Sequence, residues 1–305
     1  MSLPKIKTEA TKEAIKTKFK RYIRKFLPPL KNTYDIPALR FLPGLDSKID
    51  ELFHSLNALN EYNIIPDIAR TQTEQLPFAY MRPDGSGVAE VINALETKQF
   101  HKIENIGPRY YLDNYAHYRL NRFYPSFFLR RMMKKDLKYI LDNIQQELSA
   151  AVRSIDGVTT QIDPSTGKRF VIFKSNKERF TPEEISDGTI KWLCILVSIF
   201  VPNSNIYLIE EPENFLHPWM QQKLITTMRQ QAKENNTIFL LTTHSTTILN
   251  TAYAEEVSVI SYSEEGSKIK GLKNIDEIKK FLSSSEFNLG DLWVSGAISG
   301  VPSNE

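Results

Sequence analysis

The sequence predicts an α/β protein in which a C-terminal layer of parallel strands and helices is preceded by a β-hairpin and a mainly helical region. From Ser186 onward the pattern alternates helix, strand, helix, strand over 187–200, 205–210, 217–234 and 237–243, with a further strand at 257–262. That alternation is the mark of a parallel sheet with crossover helices. Before it, "DGVTTQIDPSTGKRFVIFK" (156–174) alternates apolar and polar residues on both sides of a Pro-Ser-Thr-Gly turn, the pattern of a hairpin. The earlier segments have helical spacing.

The elements follow in order. Residues 5–27 place Ile6, Ala10, Ala14, Ile15, Phe19, Ile23 and Phe26 at helical intervals and stop at Pro28-Pro29. "DIPALRFLPGLD" (35–46) reads as an extended connector. Residues 47–62 then set Ile49, Leu52, Phe53, Leu56 and Leu59 on one side of a predicted helix. "MRPDGSGVAEVINAL" (81–95) predicts a turn and a helix, residues 109–131 are dense in aromatics and arginines, and a long helix is expected over 134–152. This change of character divides the chain into residues 1–133, a helical basic and aromatic region, and residues 134–305, the α/β lobe.

Composition sets bounds. The net charge of +3 on 305 residues excludes a global polyelectrolyte role. Basic residues do concentrate in 1–31, where only Glu9 and Glu13 oppose them. The single cysteine, Cys194, cannot pair within the chain, which fits a reducing compartment. No apolar run reaches the length of a membrane span, and the basic start leads into no signal-peptide core, so a cytoplasmic protein is expected.

The chemistry concentrates after residue 183. "NIYLIEE" is a short apolar run that ends in Glu210 and Glu211. In an open parallel sheet the ligand crevice lies beyond the carboxyl ends of the strands. Adjacent carboxylates there call for a cation or a proton-transfer role, unless the strand end opens into solvent, where charge is free. Glu210 is the candidate Mg²⁺ ligand and Glu211 the group that polarises an attacking water. Upstream, "EEISDGTIKWLCILVSIFV" (183–201) offers Ser186 as an N-cap before a helix that is apolar nearly all round. Such a start suits a phosphate and equally an ordinary core helix. Downstream, "TIFLLTTHSTTILN" (237–250) is a second buried strand ending at His244, which either reaches a γ-phosphate or is merely hydrogen-bonded.

The ordered set resembles the ATP-binding-cassette-type AAA ATPases of the RecF/SMC/OLD-like repair and anti-phage branch. "ISDGTIKWL" is similar to that family's signature motif, "IYLIEEPENFLHP" to its Walker B element and D-loop, and "LLTTHSTTIL" to its switch histidine. Weaker likenesses are "RPDGSGVAEVINAL", to a helix ahead of the signature, and "FNLGDLWVSGAIS", to the C-terminal end. The resemblance is clear over about residues 140–299 and implies the C-terminal lobe of a P-loop NTPase of the ABC type. It further implies ATP and Mg²⁺ as cofactors, with Ser186, Asp187 and Gly188 capping the γ-phosphate of a nucleotide held by the opposite protomer. Glu210 would be the metal ligand, Glu211 the catalytic base, His244 the switch, and Leu216 to Pro218, with His217, the D-loop. The implied partners are a second copy arranged head to tail around ATP, DNA or RNA, and an effector nuclease.

One part of that family's pattern is missing. No G-x-x-x-x-G-K-[ST] run occurs in the sequence. The only Gly-Lys pair, Gly167-Lys168, falls in the predicted hairpin turn, with Ile162 and Arg169 where a glycine and a hydroxyl are needed. "DGSGVAE" (84–90) has glycines and no lysine. A truncated form, a split ATPase and a degenerate homologue each account for this, and the first is the expectation. Each charge-assisted phosphate contact is worth roughly 1.5–3 kcal/mol, so the chain alone is expected to be a poor ATPase. The alternative is a non-catalytic lobe that binds nucleic acid or protein. A metal-dependent nuclease using Glu210, Glu211 and Glu213 is a third reading, and it leaves the other motifs unexplained. Residues 117–139 interleave basic side chains with aromatics, which suits a nucleic-acid surface or a solvated helical lobe alike.

Overall fold

The computed structural model describes residues 59–75, 79–98, 137–201, 206–263 and 266–298. The helix expected over 5–27, the connector at 35–46, most of 47–62, the residue 133/134 boundary and nearly all of the basic-aromatic stretch lie outside the described residues. The chain divides into two compact units, Met1–Leu59 with His117–Phe123, and Asn60–Ala116 with Tyr124–Glu305. Of the first unit only Leu59 is described, so the architecture below is that of the second.

In chain order the elements are β1 (Leu59–Tyr62), α1 (Pro66–Ala69), α2 (Val88–Thr97), α3 (Leu137–Ala151), β2 (Gly157–Ile162), β3 (Arg169–Ser175) and β4 (Glu178–Phe180). After these come α4 (Asp187–Phe200), β5 (Ile206–Glu210), α5 (Pro218–Asn235), β6 (Ile238–Thr242) and α6 (Thr246–Thr251). The last are β7 (Ser258–Ser263), β8 (Gly266–Gly271), α7 (Ile275–Ser284) and α8 (Leu289–Val294).

The predicted parallel layer is present. β5 and β6 pair in parallel with Ile206 opposite Ile238 and Glu210 opposite Thr242, and the sheet order is β1-β5-β6. The helix expected over 47–62 does not extend to its end, because Leu59–Tyr62 is β1. The Tyr62 ring, almost fully buried, stacks at 6.4 Å on Tyr207 of β5, which in turn stacks at 5.2 Å on Phe239 of β6. That aromatic row, joining strands some 145 residues apart, outweighs the local helical spacing. The strand expected at 257–262 forms as β7. It pairs antiparallel with β8 in a separate two-stranded sheet and adds nothing to the parallel layer.

Helix α4 is the central support. Ser186 caps it by accepting a hydrogen bond from the Thr189 N–H at 3.3 Å, and every residue from Thr189 to Phe200 is buried. It packs against α3, α1 and α5, and the buried Trp192 donates its indole N–H to the Glu147 carbonyl on α3. Each fully buried large apolar side chain in such a helix contributes about 1.5–3 kcal/mol.

The expected hairpin forms as β2–β3, with Gly157 opposite Lys174 to Ile162 opposite Arg169, and β4 extends it. Its Asp163–Lys168 turn is held by Asp163, whose carboxylate accepts from the Ser165 N–H and hydroxyl; those bonds hold its pKa down at about 2. The hairpin is fixed to α2 by a buried ion pair, Arg169 Nε to Glu90 Oε1 at 3.1 Å, with Arg169 also donating to Asn93 Oδ1. Burial raises the Glu90 pKa, and the Arg169 charge opposes that shift. The turn before α2 needs glycine at Gly87, which lies at φ 85°; a Cβ there would sit 2.3 Å from the Tyr80 carbonyl oxygen.

Candidate functional site

The site begins with the pleat of β5. Alternation buries Tyr207 and Ile209 and turns Glu210 outward at the carboxyl end. There Glu210 Oε2 accepts from Asn63 Nδ2 at 3.0 Å, a residue just past the end of β1. Glu211 follows at φ 38°, in the left-handed region that a non-glycine residue seldom adopts. Its N–H donates to the Thr242 carbonyl at 3.1 Å and to Thr242 Oγ1 at 3.3 Å, so β6 anchors it. Its carboxylate accepts from Asn214 Nδ2 at 2.9 Å and stands 3.7 Å from His244 Nε2. The His244 side chain is 79 % exposed, and its ring lies 6.5 Å from that of Trp293. Glu210, Glu211 and His244 therefore converge at adjacent strand ends, where the sequence places them.

Glu213 holds the β5 and β6 ends together. Its Oε1 accepts from Thr243 Oγ1 and from the His244 N–H, both at 2.7 Å, while Oε2 is buried with no hydrogen-bond partner among the described residues. Among the described residues no three His, Cys, Asp or Glu side chains are grouped to hold a metal ion, so Glu210, Glu211 and Glu213 do not form the three-carboxylate cluster that a nuclease reading asks for. Glu210 on its own, an exposed hard-oxygen donor, fits a Mg²⁺ ion whose other ligands are water and phosphate.

The other predicted residues gather at the start of α4. Gly188 packs against the loop after β5 so closely that a Cβ would lie 2.4 Å from the Phe215 carbonyl oxygen. Asp187 is ion-paired with Arg70 at 2.5 Å. Arg70 also donates to the Ile185 and Pro182 carbonyls, at 2.7 and 3.0 Å, and so braces the chain that enters the helix. A cleft of about 180 Å³ lies beside this point, with Asn63, Asp187, Lys191, Asn214 and Phe215 among its walls. Leu216 and His217 belong to the turn into α5. The Leu216 side chain is buried, and His217 caps α5 by accepting from the Trp219 N–H on Nδ1. Arg70, Lys191, Asn63 and Asn214 are the members of this region that sequence reasoning passes over. Asn214, inside "EEPENF", and Lys191, inside "ISDGTIKWL", have a local signal; Arg70 and Asn63 have none.

Gly167-Lys168 lies in the β2–β3 turn, with open space around Gly167, and Arg169 is engaged with Glu90. Neither is part of a phosphate cradle, and the described residues contain no other Gly-Lys pair.

Comparison with known proteins gives the family. The chain covers 39 % of the length of an SMC head domain with an extended coiled coil from Pyrococcus furiosus and is 16 % identical to it, with 52 % of this chain aligned at a TM-score of 0.38. An SMC head bound to the C-terminal winged-helix domain of ScpA is also 16 % identical, over 50 % of this chain and 46 % of that one, with a TM-score of 0.38. An SMC ATPase described in a study of ATP-driven dimerisation and DNA-stimulated activation is 17 % identical over 53 % of this chain and 98 % of its own, with a TM-score of 0.35. This chain thus spans less than half the length of the first two. No curated protein matches it. A family model does match, over residues 41–250, a span that includes the capped start of α4, the acidic end of β5 and His244. The chain therefore belongs to the family described as "AAA domain, putative AbiEii toxin, Type IV TA system".

Proposed function

We propose that the chain carries the hydrolytic and signature elements of an ABC-type ATPase site that works as a nucleotide-gated, head-to-tail dimer. The carrying observation is the placement of Glu210, Glu211 and His244 at the carboxyl ends of two paired parallel strands, with His244 Nε2 3.7 Å from the Glu211 carboxylate. In this reading Glu210 binds Mg²⁺, which when present neutralises charge on the β- and γ-phosphates. Glu211 accepts the proton of the attacking water, held in orientation by Asn214, and His244 senses the γ-phosphate. Ser186 and the free N–H groups at the start of α4, with Asp187 and Gly188, face the γ-phosphate of a nucleotide on the opposite protomer. Leu216 and His217 line the contact between protomers. Closure on ATP and opening after hydrolysis then act on nucleic acid in defence or repair, with an effector nuclease as partner.

The phosphate loop has to come from outside the described residues. Among the described residues β6 is an edge strand of the β1-β5-β6 sheet, which supports a place for a further strand. Among the described residues no helix is long and apolar enough to cross a membrane.

The test is calorimetric titration of ATP into the 305-residue chain, with and without Mg²⁺, beside Glu210→Ala. Binding tightened by Mg²⁺ in the wild type and not in the variant supports the assignment. Equal Mg²⁺ dependence in both refutes the role of Glu210. Where ATP-bound dimers form, Glu211→Gln is expected to stop hydrolysis and keep the dimer; loss of the dimer would sink the proposed role of Glu211. A second reading, a non-catalytic lobe that binds nucleic acid or protein, is favoured by the place of Gly167-Lys168 in an ordinary hairpin turn. Absence of ATP binding by the chain alone would mean that the phosphate loop has to come from outside it; absence of binding once that loop is supplied would select the second reading.

A further inference from the structure

Lys191 is a buried charge that the site as described leaves without a task. It is 2 % exposed, lies three residues after Gly188 on α4, and donates from Nζ to the Glu211 backbone carbonyl at 3.0 Å. The Phe215 ring centroid is 5.8 Å from the same nitrogen. Burial pushes its pKa down, and the carboxylates of Glu213 and Glu211 oppose that shift. An ammonium group inside a protein costs free energy that an apolar side chain of the same length would avoid, so its contact calls for an explanation.

The contact falls on one of two non-glycine residues of the loop at positive φ, Glu211, the other being Phe215 at φ 69°. A non-glycine residue at positive φ persists only where its surroundings over-determine it, and such residues cluster at working sites. Glu211 is held at φ 38° by its N–H on Thr242, by Asn214, whose side chain donates to its carboxylate and whose N–H donates to its carbonyl at 3.2 Å, and by Lys191 on the same carbonyl. The first hold comes from β6 and the second from the loop itself. Lys191 alone belongs to α4, the helix that starts at Ser186–Gly188 and presses Gly188 against the Phe215 carbonyl.

We infer that Lys191 is a positioning residue: through its hydrogen bond to the Glu211 carbonyl it fixes the backbone of the proposed base in the left-handed region and ties that backbone to the start of α4. A shift of α4 then reorients the Glu211 carboxylate, so the two motifs respond together. The catalytic meaning of this link rests on the reading of Glu211 as the base, whereas its geometry does not.

The test needs no nucleotide. Crystal structures of the 305-residue chain are compared for the wild type, Lys191→Met, which keeps the stem and removes the donors, and Lys191→Arg, which retains them. In Lys191→Met, Glu211 is expected to return to negative φ and to lose Asn214, with α4 in place, and Lys191→Arg is expected to restore both. Glu211 unchanged in Lys191→Met, with or without a lower melting temperature, would reduce Lys191 to a packing residue and overturn the inference. Lys191→Gln, whose amide falls short of the carbonyl, takes the place of the Met variant should that fail to fold, and the Glu211 amide resonance reports the same change in solution. If Glu211→Gln leaves hydrolysis unchanged where ATP-bound dimers form, the catalytic role of Glu211 falls while the geometric result stands.

Discussion

Gly188→Ala separates what the start of α4 does for nucleotide from what it does for the fold. The added methyl would lie 2.4 Å from the Phe215 carbonyl oxygen, about an ångström inside ordinary contact, and the obstacle is backbone, not a side chain that can swing away. Either the first turn of α4 or the loop after Glu213 has to retreat. Overpacking of this kind costs about 1–3 kcal/mol. Alanine recovers up to ~1 kcal/mol of helix propensity, and less in a first turn. The clash wins, and the net loss is roughly 1–2 kcal/mol. At about 2–4 °C per kcal/mol for a domain of this size, the melting midpoint falls by about 2–8 °C. The assay is scanning calorimetry without nucleotide, with Gly271→Ala as control, since nothing lies within 4 Å of a Cβ there. A Gly188→Ala protein as stable as the control would refute the packing argument and leave the glycine to be explained by a ligand alone.

Two further outcomes follow from ion pairs. Arg70→Met removes charge-assisted bonds to Asp187, Ile185 and Pro182 and is expected to cost on the order of 2–4 kcal/mol, read as a lower urea midpoint at unchanged m; a shift worth less than ~1 kcal/mol would show that the entry to α4 is braced by something else. Glu256 has its pKa lowered chiefly by its hydrogen bond from Arg229, so its contribution is present above its unfolded value of 4.5 and is lost as pH falls through the lower folded value. The melting-temperature gap between wild type and Glu256→Gln should therefore be open at pH 7 and narrow as pH falls below 4.5, and a gap that does not narrow in acid would contradict the assignment.

Where the chain declared itself, it did so through signals confined to a few neighbouring residues. Ser186 followed by an apolar run gave α4 its start, and the Pro-Ser-Thr-Gly turn gave the β2–β3 hairpin. β5 and β6 were visible because parallel strands read as short apolar runs, although β6 is not the buried strand expected: Ile238 and Leu240 are exposed on one face. β1 was not, since four residues are too few to show a period of two and its reason for existing is the Tyr207 ring, far along the chain. Arg70 and Lys191 were hidden for the same cause: the partners that give them a role are backbone carbonyls and carboxylates on other elements, which the "ISDGTIKWL" run around Lys191 does not reveal. The acidic pair and His244 were legible as a set because their order along the chain reflects their order across the strand ends.

The three tryptophans of this sequence are distributed so that its ultraviolet emission is an account of its moving parts. Trp192 is sealed inside α4 with its indole N–H bonded to Glu147 and should emit toward the blue. Trp219, exposed in the first turn of α5 beside His217, should emit toward the red and be open to soluble quenchers. Trp293 lies against His244, whose imidazolium form quenches indoles at short range. One chromophore thus watches the signature helix, one the turn into α5, and one the histidine, and single Trp→Phe replacements would turn the unlabelled protein into three separate optical probes.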